Sequence, residues 1–185
     1  MASELFVDKI TGKTGTSGGA PITLSGDTAT LGSGVTFPAN TVQFIDSASH
    51  TSDQSNTNTT TTYEPSNLSI TIPSATVTKY SKLKISFSWA IRIQAGSSYT
   101  FINWKVERSN PSVSTLQEHE YYGHQTTTVV SVRDQISGAV IDSSLGTGDH
   151  TYKFYAKVSG NGYAGTIYLD GSTNSQSWVI AEGIV

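Results

Sequence analysis

Apolar residues fall at every second position through the middle of the chain. Leu83, Ile85, Phe87, Trp89, Ile91 and Ile93 alternate with Lys82, Lys84, Ser86, Ser88, Ala90 and Arg92, the period of a strand with one face in a core and one in water. Ile102, Trp104 and Val106 repeat the pattern against Asn103, Lys105 and Glu107, and Ala95-Gly96-Ser97-Ser98 reads as the hairpin connection between the two runs. Later, Tyr152, Phe154, Ala156 and Val158 alternate with Lys153, Tyr155 and Lys157 before the turn Ser159-Gly160-Asn161-Gly162. Strands are expected near 68–72, 82–94, 99–108, 119–133, 150–158, 164–170 and 177–184, with Pro73, Pro111 and most glycines at their boundaries. No segment carries the extended helical period that a parallel crossover needs, so the sheets should be antiparallel. The expected class is all-β, an antiparallel β-sandwich of jelly-roll-like form with a Gly/Thr-rich extended N-terminal arm and a short β-stalk.

The arm has a different texture. Leu5 to Thr41 holds few large apolar residues and many Gly and Thr, as in Thr11-Gly12-Lys13-Thr14-Gly15, and a core of its own would not offset the entropy of ordering it. Yet Ile22-Thr23-Leu24, Thr28-Ala29-Thr30-Leu31 and Val35-Thr36-Phe37-Pro38 are short extended segments set apart by Ser25-Gly26-Asp27 and Gly32-Ser33-Gly34. Such strands form a stalk when several copies pack about an axis and bury their few apolar residues against one another. Leu5, Phe6, Val7, Ile10, Ile22, Leu24, Leu31, Val35 and Phe37 are the candidate interface positions. Val42-Gln43-Phe44-Ile45 reads as a first strand, and Ser47 to Thr62 is almost wholly polar. The expected organisation is arm and stalk over 1–45, a polar linker or loop over 46–62, and a head over 63–185.

Composition narrows the function classes. Only 14% of the 185 residues are charged, against about 25% in an ordinary soluble domain. The formal net charge of -3 gives no general pull toward nucleic acid or an anionic membrane. No apolar run is long enough to span a bilayer, and Met1-Ala2-Ser3-Glu4 lacks the basic start of a signal peptide, so neither membrane insertion nor export is expected. That expectation makes chance matches of the sequons Asn58-Thr59-Thr60 and Asn67-Leu68-Ser69. Cysteine is absent, which excludes disulfides and thiolate metal sites.

The search for chemistry points away from catalysis. Glu118-His119-Glu120-Tyr121-Tyr122-Gly123-His124 is the densest titratable cluster, but on a strand Glu118 and Glu120 face one side and His119 the other. There is no His-Glu-x-x-His pair, no Gly-x-Ser-x-Gly elbow and no phosphate-binding glycine loop. Asp134, Asp142, Asp149 and Asp170 lie near turns, where carboxylates cap backbone amides. The chain is therefore expected to be no enzyme, with no metal and no cofactor. Its nine tyrosines and three tryptophans are more informative, because several interrupt polar strand faces or turns: Tyr63, Tyr99, Tyr121, Tyr122, Tyr155 and Tyr163. Such rings line a protein interface or a shallow saccharide platform, and Tyr121, Tyr122 and Tyr163 are the candidates for surface recognition.

Leu5-Phe6-Val7-Asp8-Lys9-Ile10, the glycine-rich repeats and Thr30-Leu31-Gly32-Ser33-Gly34-Val35-Thr36-Phe37-Pro38-Ala39 resemble the leader of short fibre, tail-associated or capsid-decorating proteins of tailed bacteriophages, especially those of marine podovirus type. Gly165-Thr166-Ile167-Tyr168-Leu169 and Ser177-Trp178-Val179-Ile180-Ala181-Glu182 resemble the last strands of their small heads. The resemblance implies a structural virion protein located in the virion, a homo-oligomer, and specifically a homotrimer. Residues 1–20 would anchor it on other virion proteins, residues 21–45 would form the stalk, and the head would face a host surface glycan. A free carbohydrate-binding module and a polysaccharide-depolymerising enzyme are the alternatives.

Overall fold

The computed structural model describes residues 9–10, 22–25, 28–31, 38–51, 57–59, 61–95, 101–121, 130–159, 165–169 and 176–185. The chain divides into two compact units, Met1–Ala39 and Asn40–Val185. In the first, β1 (Lys9–Ile10), β2 (Ile22–Ser25) and β3 (Thr28–Leu31) form a three-stranded antiparallel sheet. Ile10 lies opposite Ile22, and Ile22 opposite Leu31, so three of the expected apolar positions fall in one cross-strand row.

The second unit contains β4 (Val42–Thr51), β5 (Thr57–Asn58), β6 (Glu64–Ile72), a single helical turn α1 (Ser74–Val77), β7 (Lys82–Ala95) and β8 (Phe101–Asn110). It continues with β9 (Ser114–Tyr121), β10 (Val130–Asp142), β11 (His150–Ser159), β12 (Gly165–Tyr168) and β13 (Gln176–Ile184). One sheet runs β4-β13-β7-β12-β5 with β10 on the other side of β7, and the second runs β6-β11-β8-β9. Every described pairing is antiparallel.

Setting aside the short β5 and β12, the pairs β4/β13, β6/β11, β7/β10 and β8/β9 are nested in sequence. The chain is one long hairpin, doubled back near β8 and β9 and rolled so that alternate pairs fall in opposite sheets. That is jelly-roll winding, and the fold is an all-β antiparallel sandwich. Two expected boundaries change. The run expected as one strand over 119–133 is β9 and β10, which belong to different sheets. Residues 47–51, expected in the polar linker, complete β4, because its hydrogen bonds to β13 run from Val42 to Thr51 and do not depend on side-chain polarity.

The expected alternation sets the core. Leu83, Ile85, Phe87, Trp89 and Ile91 are buried, together with Ile102, Trp104 and Val106 from β8 and Tyr152, Phe154, Ala156 and Val158 from β11. Phe87 packs on Phe154 at 4.9 Å between ring centroids and edge-on to Trp104 at 6.0 Å. The Trp89 indole N–H donates to the Leu169 carbonyl, so the largest core side chain keeps its polar atom satisfied. Full burial of a large side chain of this kind contributes about 1.5–3 kcal/mol.

The second face of β7 is drier than its sequence implies. Ser88 and Ala90 are buried, because β7 is central, with β10 along one edge and β13 then β12 along the other. Pairing with β13 ends at Ser88 and pairing with β12 begins at Arg92. Between the two, the Ala90 N–H donates to the Ser177 hydroxyl at 2.9 Å, which closes the gap in the ladder.

Candidate interaction surfaces

A buried polar cluster ties the loops at one end of the sandwich. Arg108 continues the inward parity of Ile102, Trp104 and Val106, and Asp142 continues that of Ile136 and Val140, so both charges point into the core. Arg108 Nη1 donates to Asp142 Oδ2 at 2.7 Å and to the Ser144 carbonyl at 2.7 Å, while its Nε donates to the Ser112 carbonyl at 3.3 Å. Asp142 also accepts from the Tyr152 hydroxyl at 2.9 Å and the Ser144 N–H at 3.1 Å. Burial, and then the charge and hydrogen bond of Asp142, push the Tyr152 hydroxyl far above the ordinary tyrosine range. His150 is fully buried beside the cluster; its Nε2 accepts from the Gly146 N–H at 3.3 Å, so Nδ1 is the nitrogen that donates to the Gly148 carbonyl at 3.0 Å. The expected capping roles appear at Asp142, at Asp134 with the Gln135 N–H at 2.7 Å, and at Asp149 with the Ser74 N–H at 2.9 Å, while Asp170 lies outside the described residues. Every partner in this cluster is internal, which makes it structural.

The outer face of β6-β11-β8-β9 is charged and aromatic. The Tyr63 hydroxyl donates to Glu118 Oε1 at 2.6 Å, Lys157 Nζ sits 4.3 Å from the centre of the Tyr63 ring, and Lys105 Nζ sits 4.9 Å from the ring centres of both Tyr63 and Tyr155. Lys105 also pairs with Glu107. The Tyr63 hydroxyl is pushed well above its ordinary range by burial, then by the hydrogen bond and charge of Glu118. Burial, then the charge and hydrogen bond of Glu107, raise Tyr155 in the same sense. Sequence reasoning singled out Tyr63 and Tyr155 without knowing that they share Lys105; Lys105 and Lys157 were visible only as the polar half of an alternation.

The other sequence candidates are dispersed. Glu118 and Glu120 stand opposite Lys105 and Asn103, whereas His119 stands opposite Trp104 with ring centroids 5.1 Å apart, so the titratable cluster is split as the strand period requires. Among the described residues no group of three His, Asp or Glu is placed to hold a metal ion. Tyr121 closes β9 with its backbone opposite Ile102. Tyr99, Tyr122, Tyr163, Leu5, Phe6, Val7, Val35 and Phe37 lie outside the described residues. Ile10, Ile22, Leu24 and Leu31 lie on β1 to β3, with Leu24 opposite Ala29.

The outer face of the larger sheet mixes exposed apolar side chains with charged ones. Phe44, Val42, Ile141 and Trp178 are 66%, 50%, 49% and 38% exposed, and they are four of the five large exposed hydrophobic side chains among the described residues. Registers place them on one surface: Val42 opposite Ile184, Phe44 opposite Glu182, Ile141 opposite Lys84, and Trp178 between Ser49 and Ser88. Ser47, Ile180, Ser86 and Ala139 form the row between them. Lys84 and Glu182 neutralise each other there at 2.7 Å. Sequence reasoning missed this surface, since Val42, Ile141 and Trp178 sit on three separate strands.

No family model and no curated protein matches the chain. Among solved structures it is similar to the particle protein in the T=1 particles derived from infectious bursal virus, at 8% identity and a TM-score of 0.41, covering 88% of this chain and 39% of that one. It is likewise similar to the VP2 subviral particle of infectious bursal disease virus, at 9% identity and a TM-score of 0.39, covering 88% of this chain and 41% of that one. The chain thus spans about two fifths of the length of these proteins. Likeness at this level carries no statement about function. These structures are capsid proteins of a virus that is not a bacteriophage, which corrects the expected kinship with bacteriophage fibre, tail-associated or decorating proteins. Most of the leader behind that expectation is Gly- and Thr-rich, a composition common to short strands and turns rather than to one family.

Proposed function

We propose that this chain is a structural component of a virus particle, a non-enzymatic building block that assembles through protein–protein contacts. The observation that carries the reading is the nested jelly-roll winding together with the exposed Val42, Phe44, Ile141 and Trp178 on one outer sheet face. Jelly rolls recur in viral capsids and in lectins, and fold alone does not separate these. Large apolar side chains exposed on one face favour an assembling subunit over a free-standing module. Residues 1–39 act as an arm whose row of Ile10, Ile22 and Leu31 is buried against other copies or other virion proteins. Leu5, Phe6, Val7, Val35 and Phe37 extend that contact.

Light scattering and electron microscopy of the purified full-length chain test the proposal. Closed particles or a defined homo-oligomer of the 19.7 kDa chain are expected, and a multiple of three indicates a three-fold arm. A monomer at every concentration overturns the reading. Glycan binding is the second reading, favoured by Tyr63 and Tyr155 beside two lysines on the charged sheet; a glycan array probed with the full chain and giving no hits disposes of it.

A further inference from the structure

We infer that a dent in the outer face of the larger sheet, centred on Ala90, binds a single sugar residue that carries a carboxylate. The inference stands whether or not the chain assembles. Its origin is the interrupted ladder beside β7. Pairing with β13 ends at Trp178 opposite Ser88, and pairing with β12 begins at Tyr168 opposite Arg92, while Ser177 and Gln176 keep only their partners on β4. Ala90 therefore has Gln135 opposite it on β10 and, among the described residues, none opposite it on the other side. A methyl group in that row leaves a dent of about 280 Å³ lined by Ala90, Arg133, Asp134 and Gln135. Pockets for whole small molecules begin at roughly 300 Å³, so the dent has room for one ring and not for a chain.

The lining selects the ligand. Among the described residues Arg133 has no ion pair, and Arg92 stands directly opposite it, so this end of the dent is positive. A guanidinium takes a carboxylate through two parallel hydrogen bonds. Asp134 supplies the opposite chemistry, a carboxylate whose Oδ1 is held by the Gln135 N–H at 2.7 Å. Gln135 Nε2 donates to the Gln176 carbonyl at 3.5 Å, a bond that does not use its amide oxygen. These oxygens are acceptors for hydroxyl groups. A bare inorganic anion meets the repulsion of Asp134, and a neutral sugar leaves Arg133 without an anion, whereas a sugar acid suits both ends. Trp178 stands diagonally from Ala90 and is 38% exposed, which puts an aromatic wall within reach of a ring in the dent. Val42, Phe44 and Ile141 lie in the rows of Lys82 and Lys84, toward the other end of β7, so a sugar at Ala90 leaves them uncovered.

The test titrates full-length protein with glucuronate, glucose and inorganic sulfate, read by ligand-observed nuclear magnetic resonance. Glucuronate should bind at least about tenfold more tightly than glucose, the difference expected for a charge-assisted contact, and sulfate should not displace it. Arg133→Gln should lose that preference, and Arg133→Lys, which keeps the charge without the fork, should recover only part of it. Trp178→Ala should weaken glucuronate about two- to tenfold, with the far-ultraviolet spectrum of each variant unchanged. Absence of glucuronate binding at millimolar concentration overturns the inference, as does displacement by sulfate at equal affinity, which reports an anion site without recognition of the sugar. Binding that survives Arg133→Gln and Trp178→Ala but is lost in Tyr63→Ala also overturns it, and leaves glycan recognition by the charged sheet standing. None of these outcomes bears on the mass of the assembly, so the structural-subunit reading fails or holds separately.

Discussion

Replacing Asp142 by alanine should be among the most damaging single changes in the sandwich. Its side chain is 1% exposed and that of Arg108 is 6% exposed, so solvent does not screen their 2.7 Å contact. Removing the carboxylate leaves the guanidinium buried without its counter-charge, a loss of about 3–5 kcal/mol in comparable pairs. It also strips the acceptor from the Tyr152 hydroxyl and the Ser144 N–H. These terms share one site and do not add, so about 3–5 kcal/mol is the expected total. In a body of this size each kcal/mol lowers the melting temperature by about 2–4 °C, which makes the drop roughly 6–20 °C. Urea and thermal unfolding followed by circular dichroism at one fixed protein concentration read it out, since association would otherwise shift the midpoint. Two comparisons sharpen the test. Lys84→Ala removes a partner from a pair whose side chains are 36% and 25% exposed, and should cost about 0–1 kcal/mol. Arg108→Met with Asp142→Leu removes both buried charges and should recover much of the single-variant loss. An Asp142→Ala protein within about 1 kcal/mol of the parent would refute the assignment of the pair as the tie between these loops.

Gly183→Ala should destabilise by about 1–3 kcal/mol through overpacking, because a Cβ there would stand 2.3 Å from the Tyr80 ring; in a Tyr80→Ala background most of that cost should vanish, as a double-mutant cycle in urea would show. Ser177→Ala should cost about 1–3 kcal/mol by leaving the buried Ala90 N–H without an acceptor, and hydrogen exchange at Ala90 should accelerate. Tyr63, Tyr152 and Tyr155 are all raised in the folded chain. Their contribution is therefore fully present below the unfolded tyrosine pKa of about 10 and is lost as pH rises beyond it, because the unfolded chain ionises first. Spectroscopic titration of the tyrosinates should show a class that ionises only on alkaline unfolding, and Glu118→Gln should move Tyr63 back toward the ordinary range.

What the sequence determined by itself is local parity. Leu83 to Ile91, Ile102 to Val106 and Tyr152 to Val158 alternate with period two, and a strand places every second side chain on one face, so these core residues were legible without any knowledge of their partners. Asp142 read only as a turn carboxylate that caps backbone amides, and its meeting with Arg108 across 34 positions, which explains how either charge is tolerated in the core, was not legible. Pairing belongs to the tertiary structure. Nothing near Val42 says that its strand starts beside Ile184, yet that closure of the outermost nested pair carries Ser47 to Thr51 into the sheet and brings Phe44, Trp178 and Ile141 onto one surface. The central place of β7 likewise buries Ser88 and Ala90, which alternation alone assigns to water. The period of a strand is a property of its own backbone, whereas its neighbours are chosen by hydrogen bonds and packing between segments far apart in the chain. Which side chains share an outer face is decided there.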